Sequence, residues 1–155
     1  MPLTQGAHHV ATLTADMDRL IRFYRDVFEG RVLLDLREDG LRHAFIDLGG
    51  GFVLHPFEVD EVDVPQGELP MFDRGRIDHV ALTASSPDAF WTLRERIHRA
   101  GASDGEVVDL GPLLSAGFTD PDGLWGEVCL DRPAAEAGGA GERSGWQRIP
   151  YPRRV

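Results

Sequence analysis

Lysine and asparagine are absent from this 155-residue chain, and cysteine occurs once, at Cys129. Without lysine, Schiff-base catalysis and a phosphate-loop lysine are both excluded. A lone cysteine cannot close an internal disulfide, so a reducing compartment and a cytoplasmic protein are expected. Positive charge is in deficit as well: sixteen basic residues, all arginine, stand against 26 acidic ones, for a formal net charge of −10. Such a charge repels phosphate backbones and anionic lipid, and neither nucleic acid nor a membrane is an expected partner. No apolar run is long enough to span a bilayer, and the opening MPLTQGAHH lacks the basic-then-apolar pattern of a secretory leader. What is left is an ordinary globular mixture, 42% hydrophobic and 27% charged, of a length that suits one domain.

Within it a pattern recurs at an offset near seventy. HHVATLTADMDRLIRFYRDVFEG is echoed by DHVALTASSPDAFWTLRERIHRAG: a strand with His-Val-Ala, a cap, then an amphipathic helix. Leu20, Phe23, Tyr24 and Val27 trace one apolar stripe, and Phe90, Leu93 and Ile97 trace the other. Asp16 and Ser86 are the expected N-caps, the latter backed by Pro87 at the first helical position, and Gly30 and Gly101 are the expected stops. Three short strands follow each helix. They are RVLLDLR, LRHAFIDL and FVLHPFE in the first copy, and EVVDL, LLSAGFT and WGEVCL in the second, separated by EDG, GGG, GP and DPDG turns. The expected class is α+β: two βαβββ modules over residues 6–58 and 75–131, an acidic, Pro- and Gly-containing linker at 59–74, and an irregular tail at 132–155. Residues 1–131 are expected to form one domain. The alternatives for the tail are that Trp146 and Tyr151 wrap it onto its own domain or a neighbour, or that it stays mobile.

Strand parity selects a set of candidate site residues. Alternation puts His9 with Ala11 and Leu13, His79 with Ala81 and Thr83, and Glu127 with Cys129, all opposite the Val and Leu faces that suit the helices. His79 therefore corresponds to His9, and His8 is left at the strand mouth. Glu127 lies 48 residues after His79 and His55 lies 46 after His9, so a two-residue gap superposes His55 on Glu127. If the two modules face each other, His9, His55, His79 and Glu127 converge as four N/O donors for a divalent first-row metal.

The paired modules, the DHVAL strand start and the DPDGLWGEV hairpin resemble the vicinal oxygen chelate superfamily over about residues 6–131. That superfamily includes glyoxalase I, fosfomycin-resistance proteins, bleomycin-binding proteins, methylmalonyl-CoA epimerase and extradiol dioxygenases. The resemblance implies eight strands in a half-open mixed β-barrel, helices outside, around a metal at His9, His55, His79 and Glu127. It also implies a homodimer. Glyoxalase I usually has a carboxylate where His55 stands, so this donor set carries one negative charge rather than two and lacks one candidate base. His9, His79 and Glu127 also match the facial triad of the extradiol dioxygenases, with His55 then a fourth ligand or a nearby acid/base. No phosphonate-binding cluster accompanies the fosfomycin-type ligands.

The expected function is that of a metal-dependent enzyme, a lyase, isomerase or ring-cleaving dioxygenase, acting on a small molecule that chelates the metal through vicinal oxygens. The cofactor is expected to be Fe, Mn, Ni or Zn. The alternative is a non-catalytic protein that sequesters an antibiotic or metabolite, and a third reading is a regulatory scaffold. Other residues carry plainer expectations. His98 belongs on an exposed helix face, Cys129 is a small buried filler, and GGG at 49–51 is a hairpin, since no helix follows to bind phosphate. His43, Phe45, Phe57, Phe118 and Trp125 are open between pocket and core.

Overall fold

A computed structural model of the chain describes residues 3, 7–60, 62–63, 77–133 and 147–151. Most of the 59–74 linker, and Trp146, lie outside the described residues. The chain divides into two compact units, Met1–Gly67 and Glu68–Val155.

The first unit runs β1 (His9–Leu13), α1 (Met17–Phe28), β2 (Arg31–Glu38), β3 (Leu41–Asp47) and β4 (Val53–Val59). Its sheet has the order β1-β4-β3-β2, with β1 parallel to β4 and the remaining pairs antiparallel. Asp16 caps α1 as expected: its side chain accepts the Arg19 amide at 2.9 Å and satisfies one of the otherwise orphaned first-turn donors. The stripe of Met17, Leu20, Tyr24 and Val27 is buried, with Leu20 and Tyr24 packed on Ile46 and Leu54 of the sheet. Each such side chain contributes roughly 1.5–3 kcal/mol by leaving water.

The helix stop differs in detail from expectation. Glu29, not Gly30, takes the left-handed conformation at φ 59°, and the Gly30 amide closes the turn onto the Tyr24 carbonyl. Gly30 is required for space instead. A Cβ there would sit 3.0 Å from both the Leu48 side chain and the Tyr24 carbonyl.

The second unit repeats the order: β5 (Val80–Thr83), α2 (Pro87–Arg99), β6 (Val107–Asp109), β7 (Leu113–Thr119) and β8 (Trp125–Asp131). Ser86 caps α2 by accepting the Ala89 amide at 3.1 Å. Gly101, at φ 71°, ends it with the Gly101 and Ala102 amides bonded back to the His98 and Ile97 carbonyls. The α+β class and the two βαβββ modules therefore stand as two mixed sheets, each carrying one helix.

The count of strands does not stop at eight. Gln147–Ile149, inside the tail expected to be irregular, forms a further strand, β9, antiparallel to β6, giving a second sheet of order β5-β8-β7-β6-β9. Arg94 explains why. It takes the central place of the α2 stripe between Phe90 and Ile97 and is only 5% exposed, while Leu93 is half-buried. Its guanidinium donates to the carbonyls of Gly105 (2.6 Å), Ile149 (3.3 Å) and Pro150 (2.8 Å). The Tyr151 ring stacks on His98 with centroids 3.8 Å apart, and its hydroxyl donates to Glu95 at 2.6 Å. His98, expected on an exposed face, is thus half-buried under the returning tail. A three-residue strand with no periodicity of its own is held by one buried cation on a distant helix, which no local pattern announces.

Candidate functional site

The ladders fix where the candidate ligands stand. In the first unit β1 and β4 pair so that Ala11 is the Cα partner of His55. In the second, β5 and β8 pair so that Ala81 is the partner of Glu127. His9 and His79 each stand two residues before that alanine, so within each unit the strand-head histidine and the fourth-strand ligand share a face. The correspondence extends past the strands: the Thr14 amide donates to the Phe57 carbonyl at 2.9 Å, and the Ala84 amide to the Cys129 carbonyl at 2.8 Å. His55 and Glu127 therefore occupy one rung of a duplicated ladder.

In the first unit the histidines form a file. Ring centroids lie 5.1 Å apart for His8 and His9, 5.3 Å for His9 and His55, and 5.3 Å for His43 and His55. His8 Nδ1 is 2.8 Å from His9 Nδ1, and His43 Nδ1 is 3.1 Å from His55 Nε2. Phe45 and Phe57 flank the His55 ring, each with centroids at 4.2 Å, and His43 stacks on Phe57 at 5.6 Å. This apolar surround, and then the neighbouring His43 and His9, lower the His55 pKa and favour its neutral form. His55 Nδ1 is buried with no hydrogen-bond partner. A buried imidazole nitrogen in that condition is poorly satisfied by the protein alone and fits an electrophilic metal ion.

In the second unit His79 Nδ1 lies 3.0 Å from Asp78 Oδ2, and His79 Nε2 lies 3.9 Å from Glu127 Oε2. The Cys129 thiol approaches the same carboxylate oxygen at 3.7 Å. Burial first, then the Glu127 charge, pushes the Cys129 pKa up to about 11, so the thiol stays protonated and is a poor nucleophile at neutral pH. Gly117 is the Cα partner of Glu127 across β7·β8, and a Cβ on it would meet the Trp125 ring at 2.7 Å. Trp125 therefore lies across Gly117, beside Glu127. Trp125 and Gly117 also border an open pocket of about 560 Å3 lined by residues 101–104, Phe118, Thr119 and Asp120; none of the four candidate ligands lines it.

Among the described residues, no group of three or more His, Cys, Asp or Glu side chains is gathered as a finished metal cage. Within each unit the structure brings together one pair of candidate ligands, His9 with His55 and His79 with Glu127. Each pair is of a type that divalent ions accept: two imidazoles in the first unit, an imidazole and a carboxylate in the second. Three further residues stand beside the candidate ligands: His43, His8 and Asp78. His43 shares its strand face with Phe45, a parity signal that places it beside His55. His8 and Asp78 touch the candidate histidines His9 and His79 because each precedes its ladder, where alternation is not yet enforced. Of the aromatics left open, Phe45 and Phe57 flank His55, Phe118 is core at 3% exposure, and Trp125 borders the open pocket. Among the described residues no helix is long and apolar enough to cross a membrane.

Comparison with known proteins places these features in context. The model of the Glyoxalase/Bleomycin resistance protein/Dioxygenase superfamily matches residues 6–128. Metallothiol transferase FosB of Staphylococcus saprophyticus is 25% identical over 122 residues, 78% of this chain and 74% of its own length. The crystal structure of a glyoxylase/bleomycin resistance protein/dioxygenase domain from Frankia sp. EAN1pec superposes with a TM-score of 0.70 at 25% identity, covering 83% of this chain and 93% of that one. A variant of the fosfomycin resistance protein FosX from Listeria monocytogenes was crystallised with Mn(II) and 1S,2S-dihydroxypropylphosphonic acid. It superposes with a TM-score of 0.60 at 17% identity, over 84% and 95% of the two chains, a likeness of fold.

Proposed function

From the premise that the chain belongs to the Glyoxalase/Bleomycin resistance protein/Dioxygenase superfamily, we propose that it is a metal-dependent enzyme acting on a small molecule with vicinal oxygens. His9, His55, His79 and Glu127 are the proposed metal donors, and residues 1–131 the proposed functional domain. The observation that carries this reading is the shared register: Ala11 opposite His55 and Ala81 opposite Glu127, each two residues beyond a histidine. A duplicated backbone that returns a donor-type residue to the same rung twice, His55 once and Glu127 once, is better explained by a site than by two unrelated structural residues.

A divalent ion, when bound, supplies Lewis acidity toward adjacent substrate oxygens and leaves coordination positions open to them. The protein's own residues divide the remaining work. His55, kept neutral between Phe45 and Phe57, offers a lone pair rather than a repelling charge. Glu127 provides the single negative charge of the proposed set. Phe45 and Phe57 present an apolar wall that excludes water from the His55 side. Cys129, protonated at neutral pH, takes no nucleophilic part.

The test is metal analysis of protein purified without chelators, beside His9→Ala and Glu127→Ala. Wild type is expected to retain a stoichiometric divalent ion that both variants lose. No metal in wild type, or equal metal in all three, overturns the reading and leaves ligand sequestration as the better account.

A further inference from the structure

In both units the residue immediately before the strand-head histidine reaches that ring's Nδ1: Asp78 for His79 at 3.0 Å, and His8 for His9 at 2.8 Å. Adjacent residues within a strand point to opposite faces, so such a contact needs a position where the pleat has not begun. The ladders start at Val80 and at His9, which leaves His8 outside the first and both Asp78 and His79 outside the second. Side-chain exposure is 23% for Asp78 and 37% for His79, so the pair is partly shielded from competing water.

The chemistry of the pair is directional. An ionised carboxylate only accepts, so the hydrogen in the Asp78 contact belongs to His79 Nδ1. A neutral imidazole has one N–H, and the lone pair is then left on Nε2. That is the nitrogen 3.9 Å from Glu127 Oε2. Asp78 therefore selects the tautomer and ring orientation that aim a lone pair toward the Glu127 side. At His9 the partner is another imidazole, which can donate or accept through Nδ1 and selects less strongly.

We propose that Asp78 is the positioning residue that makes Nε2 of His79 the metal-facing donor, with His8 as its weaker counterpart at His9. The inference rests on the metal-site reading given above. Partners of this kind orient ligand histidines and raise their basicity, and their loss typically costs 10–100-fold in metal affinity.

The experiment has two readouts on wild type, Asp78→Ala, Asp78→Asn and His8→Ala. Long-range 1H–15N NMR of the metal-free proteins at pH 8 reports the His79 tautomer. Competition of Zn2+ and of Mn2+ against a chromophoric chelator reports affinity. Wild type is expected to carry the hydrogen on His79 Nδ1. Asp78→Ala should shift it toward Nε2 and weaken metal binding about 10–100-fold. Asp78→Asn, which keeps an accepting oxygen, should recover much of both, and His8→Ala should leave the His79 tautomer unchanged and fall between wild type and Asp78→Ala in metal affinity. Circular dichroism on each variant separates these effects from unfolding, and Asp78→Asn carries the test should Asp78→Ala not fold. Wild type that binds metal while Asp78→Ala binds it equally overturns the positioning role alone. So does an affinity loss with the tautomer unchanged. Wild type that binds neither metal overturns the functional reading and the inference with it.

Discussion

The two units share a ladder and fill it differently. On the helix-facing side the rung that pairs Ile46 with Leu54 in the first unit pairs Phe118 with Gly126 in the second. Two medium side chains in one are replaced by a large and a minimal one in the other; a Cβ on Gly126 would lie 2.3 Å from the Phe118 ring. On the opposite side, the rung beyond holds His55 between two phenylalanine rings in the first unit and Glu127 beside a thiol and a glycine in the second. Volume and charge are thus exchanged between units while the backbone register is kept. The register belongs to the architecture, and the side chains on it are separately adjustable.

The sharpest way to break that equivalence is to remove one donor at a time. Glu127→Ala should lower divalent-metal affinity by on the order of 100-fold or more, since charges about 4 Å apart at an effective dielectric near 20 interact by ~4 kcal/mol. His55→Ala, which removes a neutral donor, should cost clearly less. Isothermal titration with Zn2+ checks the ranking, and equal losses would mean that the two rungs are not chemically distinct.

The tail is a second contrast, since β9 lies against the second sheet alone among the described residues. Arg94→Met keeps the apolar stem and removes the donors from three carbonyls. A destabilisation of about 3 kcal/mol is expected, because leaving a buried acceptor unsatisfied costs ~1–3 kcal/mol. Urea denaturation measures it, and a change under 1 kcal/mol would show that Arg94 does not hold the tail.

A smaller effect should follow from packing. Gly126→Ala forces the Phe118 ring aside, at about 2 kcal/mol by the usual range for overpacking. Gly126→Leu combined with Phe118→Ile imports the first unit's pair and should recover stability relative to Gly126→Leu alone. Failure of the double variant to recover would mean that the two cores are not interchangeable at this rung.

The smallest expected effect is a pH dependence of the tail clasp. The Tyr151 hydroxyl, followed by Arg99 and His98, holds Glu95 below its ordinary value of 4.5. Its contribution is present above that value and is lost as pH falls through the depressed folded-state pKa. Glu95 in turn raises Tyr151 above its ordinary value of 10.0, a contribution present below that value and lost as pH rises through the raised one. Amide-exchange protection at Arg148, corrected for the intrinsic rate, should therefore be highest between these limits, and Tyr151→Phe should remove the alkaline limb and shrink the acid one, since Arg99 and His98 still face Glu95.

Much of this was readable in the residues and some was not. Period-2 alternation and turn glycines placed the strands, and Asp16 and Ser86 announced both helices through local hydrogen bonding. The two-residue gap that set His55 against Glu127 was also a sequence inference, and the ladder registers agree with it. The tail strand was not legible, because Arg94 looks like any solvated helix arginine until its carbonyl partners, more than fifty residues away in two cases, are known. The contacts of His8 and Asp78 escaped for a different reason. Parity rules describe paired strand residues, and these stand before the pairing starts, His8 by one residue and Asp78 by two. Gly30 was read as a conformational stop when its need is for space, which only the packed Leu48 and Tyr24 reveal.

The common rung has a bearing on how such a chain can change over time. A single substitution at position 55 or 127 would alter the formal charge of the proposed donor set by one unit without asking the backbone to move. The set could then step from neutral through −1 to −2 by replacements at two codons. Location and electronic character are inherited separately: the first is written in main-chain hydrogen bonds that tolerate any side chain, the second in two positions free to vary. A duplicated fold of this kind can therefore explore chemistries while its site stays put.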